Sequence, residues 1–261
     1  MKDFTLISKQ SLNAIIYKLL ILAFWVMVWQ FGYMMIQKDI YLPSPVAVFT
    51  KLQELVLLKS FWISTAYTMY RVAVGLFLSM IIGLMLGVLA SLNRFIYDLL
   101  HPLVVTIKST PVMSFIIIAL IWFTSSNVPI FICFLMCFPI IYTNVVEGVR
   151  NTDIKLVEMA RVHHVKISTI LKEIYLPTLK PYFLAAAVTS LGLGWKVTVA
   201  AEVLSHPRLA VGSNLYSAKV YLDSAELFAW TIVVVILSLV FERIFTWVVK
   251  RQETKGGANC E

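Results

Sequence analysis

The chain has 261 residues, 60 % of them hydrophobic and 14 % charged. Soluble domains run at roughly 45–50 % apolar and about 25 % charged, so an ordinary soluble domain and a disordered chain are excluded. A disulfide scaffold is excluded by the low count of three cysteines. The net charge of +8 fits basic residues collected in cytoplasmic loops, and no basic stripe with interleaved aromatics points to nucleic acid. Long apolar runs, rather than ten-residue alternating segments, argue against a transmembrane β-barrel. The expected fold is all-α: one polytopic transmembrane domain over residues 1–261, a bundle of about six membrane helices.

A spanning helix needs about 20 mostly apolar residues. The first such segment is 19–37, free of charge and preceded by Lys2, Lys9 and Lys18. It is too long for a signal-peptide core and no small-x-small cleavage site follows, so it reads as an uncleaved span. The breaker Tyr41-Leu42-Pro43-Ser44-Pro45 opens an external stretch with a short amphipathic helix expected over 46–58. The second span is 67–92, where Gly75, Ser79, Gly83 and Gly87 recur every four residues. Such a ridge of small residues lets membrane helices approach closely, and packing inside the subunit is its expected use.

No charge interrupts 109–146, which is too long for one crossing and is divided at Thr124–Pro129 into spans 99–123 and 128–149. Lys108, Ser109, Thr110 and Pro111 then fall near the middle of the third span. A lysine there is costly and faces a cavity or a partner. The most charged stretch, 150–180, follows. The fifth span is 181–204 with Lys196 and Glu202 inside it, a polar loop covers 206–223, and the sixth span is 227–249.

With the N-terminus inside, the cytoplasmic side holds Lys2, Lys9, Lys18, Arg94, six basic residues of 150–180, and Arg243, Lys250, Arg251 and Lys255. The outside holds only Lys38, Lys51, Lys59, Arg208 and Lys219. The basic excess therefore places both termini of a multi-pass membrane protein in the cytoplasm.

In the 150–180 loop, Asp153 is placed to cap a helix starting at Ile154. Leu156, Met159, Ala160 and His163 share a face by helical spacing. A second short helix over 167–175 is expected to stop at Leu176-Pro177. The result is a cytoplasmic hairpin whose apolar face needs a cover: membrane, its own helices or another protein.

Here the sequence resembles a known family. Glu158-Met159-Ala160, then His164, then Ile174-x-Leu176-Pro177, look like the EAA loop of bacterial ABC importer permeases, with Met159 in place of an Ala and His164 in place of the turn Gly. His tolerates positive φ better than most residues, so the turn can persist. The blocks Leu42–Pro45, Ile107–Phe123, Phe138–Asn151, Leu191–Leu204 and Val211–Tyr221 look like permeases of the nitrate/sulfonate/taurine branch. The resemblance implies a homodimer with the solute path between two bundles, ATPase subunits docked on the coupling loop 150–180, and an extracytoplasmic solute-binding protein. It makes Glu158, Met159, Ala160, His164, Ile174, Leu176 and Pro177 the coupling residues. Glu158 would contact the ATPase, Met159 and Ala160 would pack at the docking face, and Leu176-Pro177 would shape the start of the fifth span.

Candidate path residues are Lys108, Thr110, Ser190, Lys196, Thr198 and Glu202. The lysines would give a cationic lining for an anion, with Glu202 near the outer mouth. The plainer reading is snorkelling or an internal ion pair, although Lys196 and Glu202, six apart, do not share a helix face. Cys133 and Cys137 lack a companion histidine and read as buried small apolar residues, not a metal clamp. No G-x-x-x-x-G-K-[ST] phosphate loop is present, so no catalytic site or cofactor is expected in this chain. ATP and Mg belong to the partner subunit. The alternatives are an importer of the same architecture for a vitamin precursor such as the thiamine pyrimidine, and a self-sufficient secondary transporter. The latter would carry inverted repeats, which the sequence lacks. A membrane enzyme ranks behind both, because the four histidines are scattered.

Overall fold

The computed structural model describes residues 3–257, with side chains from Ile16 to Trp247; Lys2 and Cys260 lie outside the described residues. Eleven helices follow one another among the described residues, with no strand. Five are long and apolar enough to cross a membrane, and a bent pair supplies a sixth crossing if its two arms are counted together. By backbone packing the chain forms two units. One comprises residues up to Phe61 with Asn214–Val233, and the other comprises Trp62–Ser213 with residues from Val234 onward.

In the first unit, α1 (Asp3–Ile36) ends where Gln37 turns left-handed at φ 50°. Leu19, Leu22, Trp25, Met27 and Phe31 are all exposed, as befits a helix apolar on every side and solvated by lipid. Pro45 starts α2 (Pro45–Leu57) behind Ser44, whose hydroxyl accepts the Ala47 N–H at 3.2 Å. Proline suits this first position because its missing N–H would be unpaired anyway. The Trp29 indole N–H donates to the Pro43 carbonyl at 3.1 Å. Lys51 on α2 meets Asp223 at 3.2 Å and Glu226 at 3.6 Å.

In the second unit the small-residue ridge of α3 (Lys59–Leu92) lies on α6 (Val128–Arg150). A Cβ added at Gly75 would sit 2.6 Å from the Cys133 Cβ, one at Gly83 2.8 Å from Ile141 Cγ2, and one at Gly87 2.6 Å from Val145 Cγ1. The ridge thus serves packing within the chain. α6 also packs extensively on α9 (Leu176–Ser205). Ile132, Ile141, Val145, Leu191 and Trp195 are buried in and around this seam, and the Trp195 indole N–H donates to the Val234 carbonyl at 3.1 Å in α11 (Ser224–Gly257).

Three expectations are corrected. The segment read as a single span over 99–123 is two helices, α4 (Arg94–Ser109) and α5 (Val112–Trp122), set at 107°. Pro111 disfavours the helical region for Thr110, and Thr110 is extended at ψ 135°. The loop over 206–223 contains α10 (Val211–Val220). Its Gly-, Ser- and Asn-bearing sequence has little intrinsic helix propensity, and its first N–H groups are held by side chains distant in sequence, as described below. The helix over 167–175 does not stop at Leu176-Pro177. α8 (Ile167–Ile170) passes through a π-helical stretch, Leu171–Tyr175, straight into α9. There the Leu176 N–H bonds to the Leu171 carbonyl, five residues back, so the chain absorbs the proline in a wider turn.

Candidate functional site

The loop between α6 and α9 is a helical hairpin. Asp153 Oδ1 accepts the Lys155 N–H at 2.9 Å and starts α7 (Ile154–Val162). The helix ends in a closed cap: the His164 N–H donates to the Arg161 carbonyl at 3.0 Å and the Val165 N–H to the Ala160 carbonyl at 3.0 Å. This pair of bonds is the Schellman arrangement, which needs a left-handed residue at the position after the cap. His164 supplies it with φ 52°. The turn expected from the motif glycine is therefore made by histidine.

Val157 and Ala160 of α7 pack on Ile170, with Ile174 and Tyr175 alongside. Ala160 is thus turned inward at 8 % exposure: of the covers left open for the shared face, the hairpin's own second helix supplies this one, whereas the resemblance implied that Ala160 packs at the docking face. The outward surface carries Ile154, Leu156, Met159 and Val162, and Ile167 and Leu176 are also exposed. Glu158, His164 and Pro177 are exposed beside them. The hairpin satisfies its own inner face and leaves apolar side chains and a carboxylate outside.

The other ionisable residues divide into two groups. Glu202 is fully buried. The Thr68 hydroxyl lies 2.9 Å from both of its carboxylate oxygens, the Arg71 guanidinium donates at 2.9 Å, and the Gly212 N–H donates at 3.1 Å. Arg71 also donates to the Leu209 carbonyl at 2.8 Å and the Ser126 carbonyl at 3.3 Å, and the Val211 N–H donates to the Thr68 hydroxyl at 3.0 Å. One ion pair thereby joins α3, α9, the α5–α6 turn and the start of α10. The carboxylate meets the unpaired N–H groups of a helix N-terminus, where negative charge is favourable.

Glu202 is therefore an internal tie and not a residue facing a lumen within this chain, and its cation is Arg71 instead of Lys196. Ser190 and Thr198 are likewise fully buried, Thr198 donating back to the Gly194 carbonyl at 2.7 Å. Lys196 is exposed on another face of α9. Cys133 and Cys137 are buried thiols set against the Val72 and Ser190 carbonyls.

Lys108 differs. It stands in the last turn of α4, just before the elbow, with its ammonium 3.4 Å from the Thr143 hydroxyl on α6. Thr110 closes the turn by donating to the Thr106 carbonyl at 2.7 Å. Lys108 lines a cavity of about 320 Å³ between α4 and α6, together with His101, Tyr142 and Arg150. Of these, the sequence marks only Lys108 as a path candidate. Arg71 sat inside an apolar segment, and a charge there demands a counter-charge; that signal was present for Arg71–Glu202.

Residues 79–254 match the family of binding-protein-dependent transport system inner membrane components. The chain belongs to this family. It is the permease component of an ABC importer, embedded in the membrane, of a kind whose ATPase is a separate subunit and whose solute comes from a binding protein. The permease is 29 % identical over 217 residues to the putative aliphatic sulfonates transport permease of Bacillus subtilis, covering 82 % of this chain and 78 % of that one. It is 27 % identical to the bicarbonate transport system permease of Synechococcus elongatus, over 79 % and 78 % of the two chains. The nitrate import permease of Leptolyngbya laminosa is 30 % identical over 146 residues, 56 % of this chain and 52 % of that one. In fold the permease is similar to the membrane subunit of an inward-facing methionine ABC transporter, with TM-score 0.61 and 17 % identity over 72 % of this chain and 94 % of that one.

Proposed function

We propose that two copies of this permease enclose the path of an ATP-driven importer for a small anion of the nitrate, sulfonate or bicarbonate type. In this reading both termini and the hairpin 150–180 face the cytoplasm of a plasma-membrane protein. Each hairpin seats in a socket on an ATPase subunit. The observation that carries it is the hairpin itself: its inner face is closed by Val157, Ala160 and Ile170, while Met159, Val162 and Glu158 stand exposed beside a rigid cap. A stiff lever is what the arrangement requires, because nucleotide binding on the ATPase can bias a two-state path only through an element that does not itself yield. The ATPase carries the nucleotide and its magnesium. The relatives' names and the Lys108 ammonium, which has no ion-pair partner among the described residues, support an anion over a neutral vitamin precursor.

The test is Glu158→Lys, assayed for membrane insertion, for retention of the ATPase on purification, and for anion uptake. Insertion is expected to be normal, with ATPase retention and uptake both lost. Undiminished uptake would reject the coupling role.

A further inference from the structure

One side of α9 is left uncovered by the chain. Ala185, Thr189 and Lys196 are exposed there and Gly192 is half-buried. Their spacing of four, three and four residues puts them on a single helix face. The opposite side carries Ser190, Thr198 and Glu202, all fully buried. Lys196 stands 16 residues after Lys180 and 10 before His206, which is about 24 Å from one and about 15 Å from the other along the helix. That places it well inside a hydrocarbon layer about 30 Å thick. Its four-carbon stem cannot carry the ammonium to either surface, and it has no ion-pair or hydrogen-bond partner among the described residues. A lysine at such depth is tolerated where it faces water or a counter-charge.

Gly192 is a second, independent sign. Glycine inside a helix is less stable than alanine, and its neighbours in the bundle have a packing reason to be glycine. A Cβ added at Gly194 would lie 3.0 Å from the Cys137 Sγ, and one at Gly83 2.8 Å from Ile141 Cγ2. A Cβ at Gly192 would meet nothing within 4 Å. The room it leaves lies outside the chain, one helical turn from Lys196. We infer that this face of α9 lines the water-filled solute path, with the Lys196 ammonium as the cation that meets the passing anion and Gly192 as the clearance beside it. The inference rests on the importer reading and adds to it the residue that selects for negative charge.

The test uses the permease co-purified with its ATPase. In a chain carrying Cys260→Ser, Lys196→Cys is held in nanodiscs, where both membrane faces are open, and treated with an anionic thiosulfonate. A charged reagent stays out of lipid and of packed interfaces, and the parent chain with its buried Cys133 and Cys137 is the blank. Labelling above that blank is expected. In proteoliposomes supplied with nitrate, bicarbonate or ethanesulfonate, Lys196→Met should raise the KM of the imported anion about tenfold or more, the effect of a lost hydrogen bond to a charged group. Lys196→Arg, which keeps the charge, should restore most of it. Both variants should retain the ATPase and melt like wild type. Gly192→Ala should melt at or above the wild-type temperature, and Gly192→Leu should slow uptake. An unlabelled thiol, a wild-type KM in Lys196→Met, or import of a neutral solute that Lys196→Met leaves undisturbed overturns the inference. So does a Lys196→Met variant that melts early, since that pattern belongs to a structural contact with the second copy. If Glu158→Lys abolishes uptake while Lys196→Met imports normally, this inference fails and the importer reading stands. If Lys196→Cys is labelled and Lys196→Met raises KM while Glu158→Lys imports normally, the coupling reading fails and the lining stands.

Discussion

Removing the guanidinium of Arg71 tests whether Glu202 is a structural tie. In Arg71→Met, the carboxylate, fully buried, keeps Thr68 and Gly212 but loses the one ion-pair partner it has among the described residues. The Leu209 and Ser126 carbonyls also lose their donor. Breaking one side of a buried pair costs about 3–5 kcal/mol. At roughly 2–4 °C per kcal/mol for a chain of this size, the melting temperature in detergent should fall by about 6–20 °C. In the double variant Arg71→Met/Glu202→Gln, the amide oxygen still accepts from Gly212, and no uncompensated charge remains. The double variant should therefore be more stable than Arg71→Met alone, with a coupling of about 2 kcal/mol or more between the sites. Fluorescence-detected size-exclusion after heating measures all three variants. Additive losses, or an Arg71→Met cost below about 1 kcal/mol, would refute the reasoning. So would a Glu202→Gln variant that melts like wild type yet imports poorly, since that pattern belongs to a path residue.

Three further outcomes are expected. His164→Gly should keep ATPase docking and gain up to about 1 kcal/mol, while His164→Val should lose about 1–2 kcal/mol, because only the β-branched residue strongly resists positive φ; hydrogen exchange at the Val165 N–H reads this directly. Gly75→Ala would drive its methyl onto the Cys133 Cβ and the Ile130 carbonyl at 2.8 Å, and overpacking of this kind costs about 1–3 kcal/mol, visible as a lower melting temperature. Burial pushes the Asp223 carboxyl up, but the Glu226 N–H and the Lys51 ammonium outweigh it and hold it below the ordinary range. Its contribution is complete above the unfolded value of about 3.9 and is lost as pH falls through the lower folded value. The stability gap between wild type and Asp223→Asn should therefore be flat near neutrality and close in acid.

Hydrophobic runs and breakers made most of the bundle legible, because lipid forces every backbone group into a helix whose length the bilayer sets. The small-residue ridge was legible for the same reason: Gly75, Ser79, Gly83 and Gly87, each four from the next, leave a smooth helix face, and α6 fills it. The hairpin over 150–180 was legible through Asp153 and the motif residues, yet the burial of Ala160 against Ile170 was not, since i, i+3, i+4 spacing shows that a face exists and not which neighbour covers it. The elbow after Lys108 was missed because an apolar count over 99–123 does not register that Thr110-Pro111 turns the chain by 107°. α10 was missed because the groups that start it, Thr68 and Glu202, lie 143 and 10 residues away from the N–H groups they satisfy.

The orientation and use of the hairpin can be measured together by placing a cysteine at Met159, an exposed position beside Glu158. A membrane-impermeant maleimide should fail to label Met159→Cys in intact cells and label it in inverted vesicles stripped of the ATPase. Adding the ATPase back should protect the thiol, and a short bifunctional linker should join the two chains. Labelling from outside the cell, or equal labelling with and without the ATPase in an assembly that still imports solute, would contradict the account.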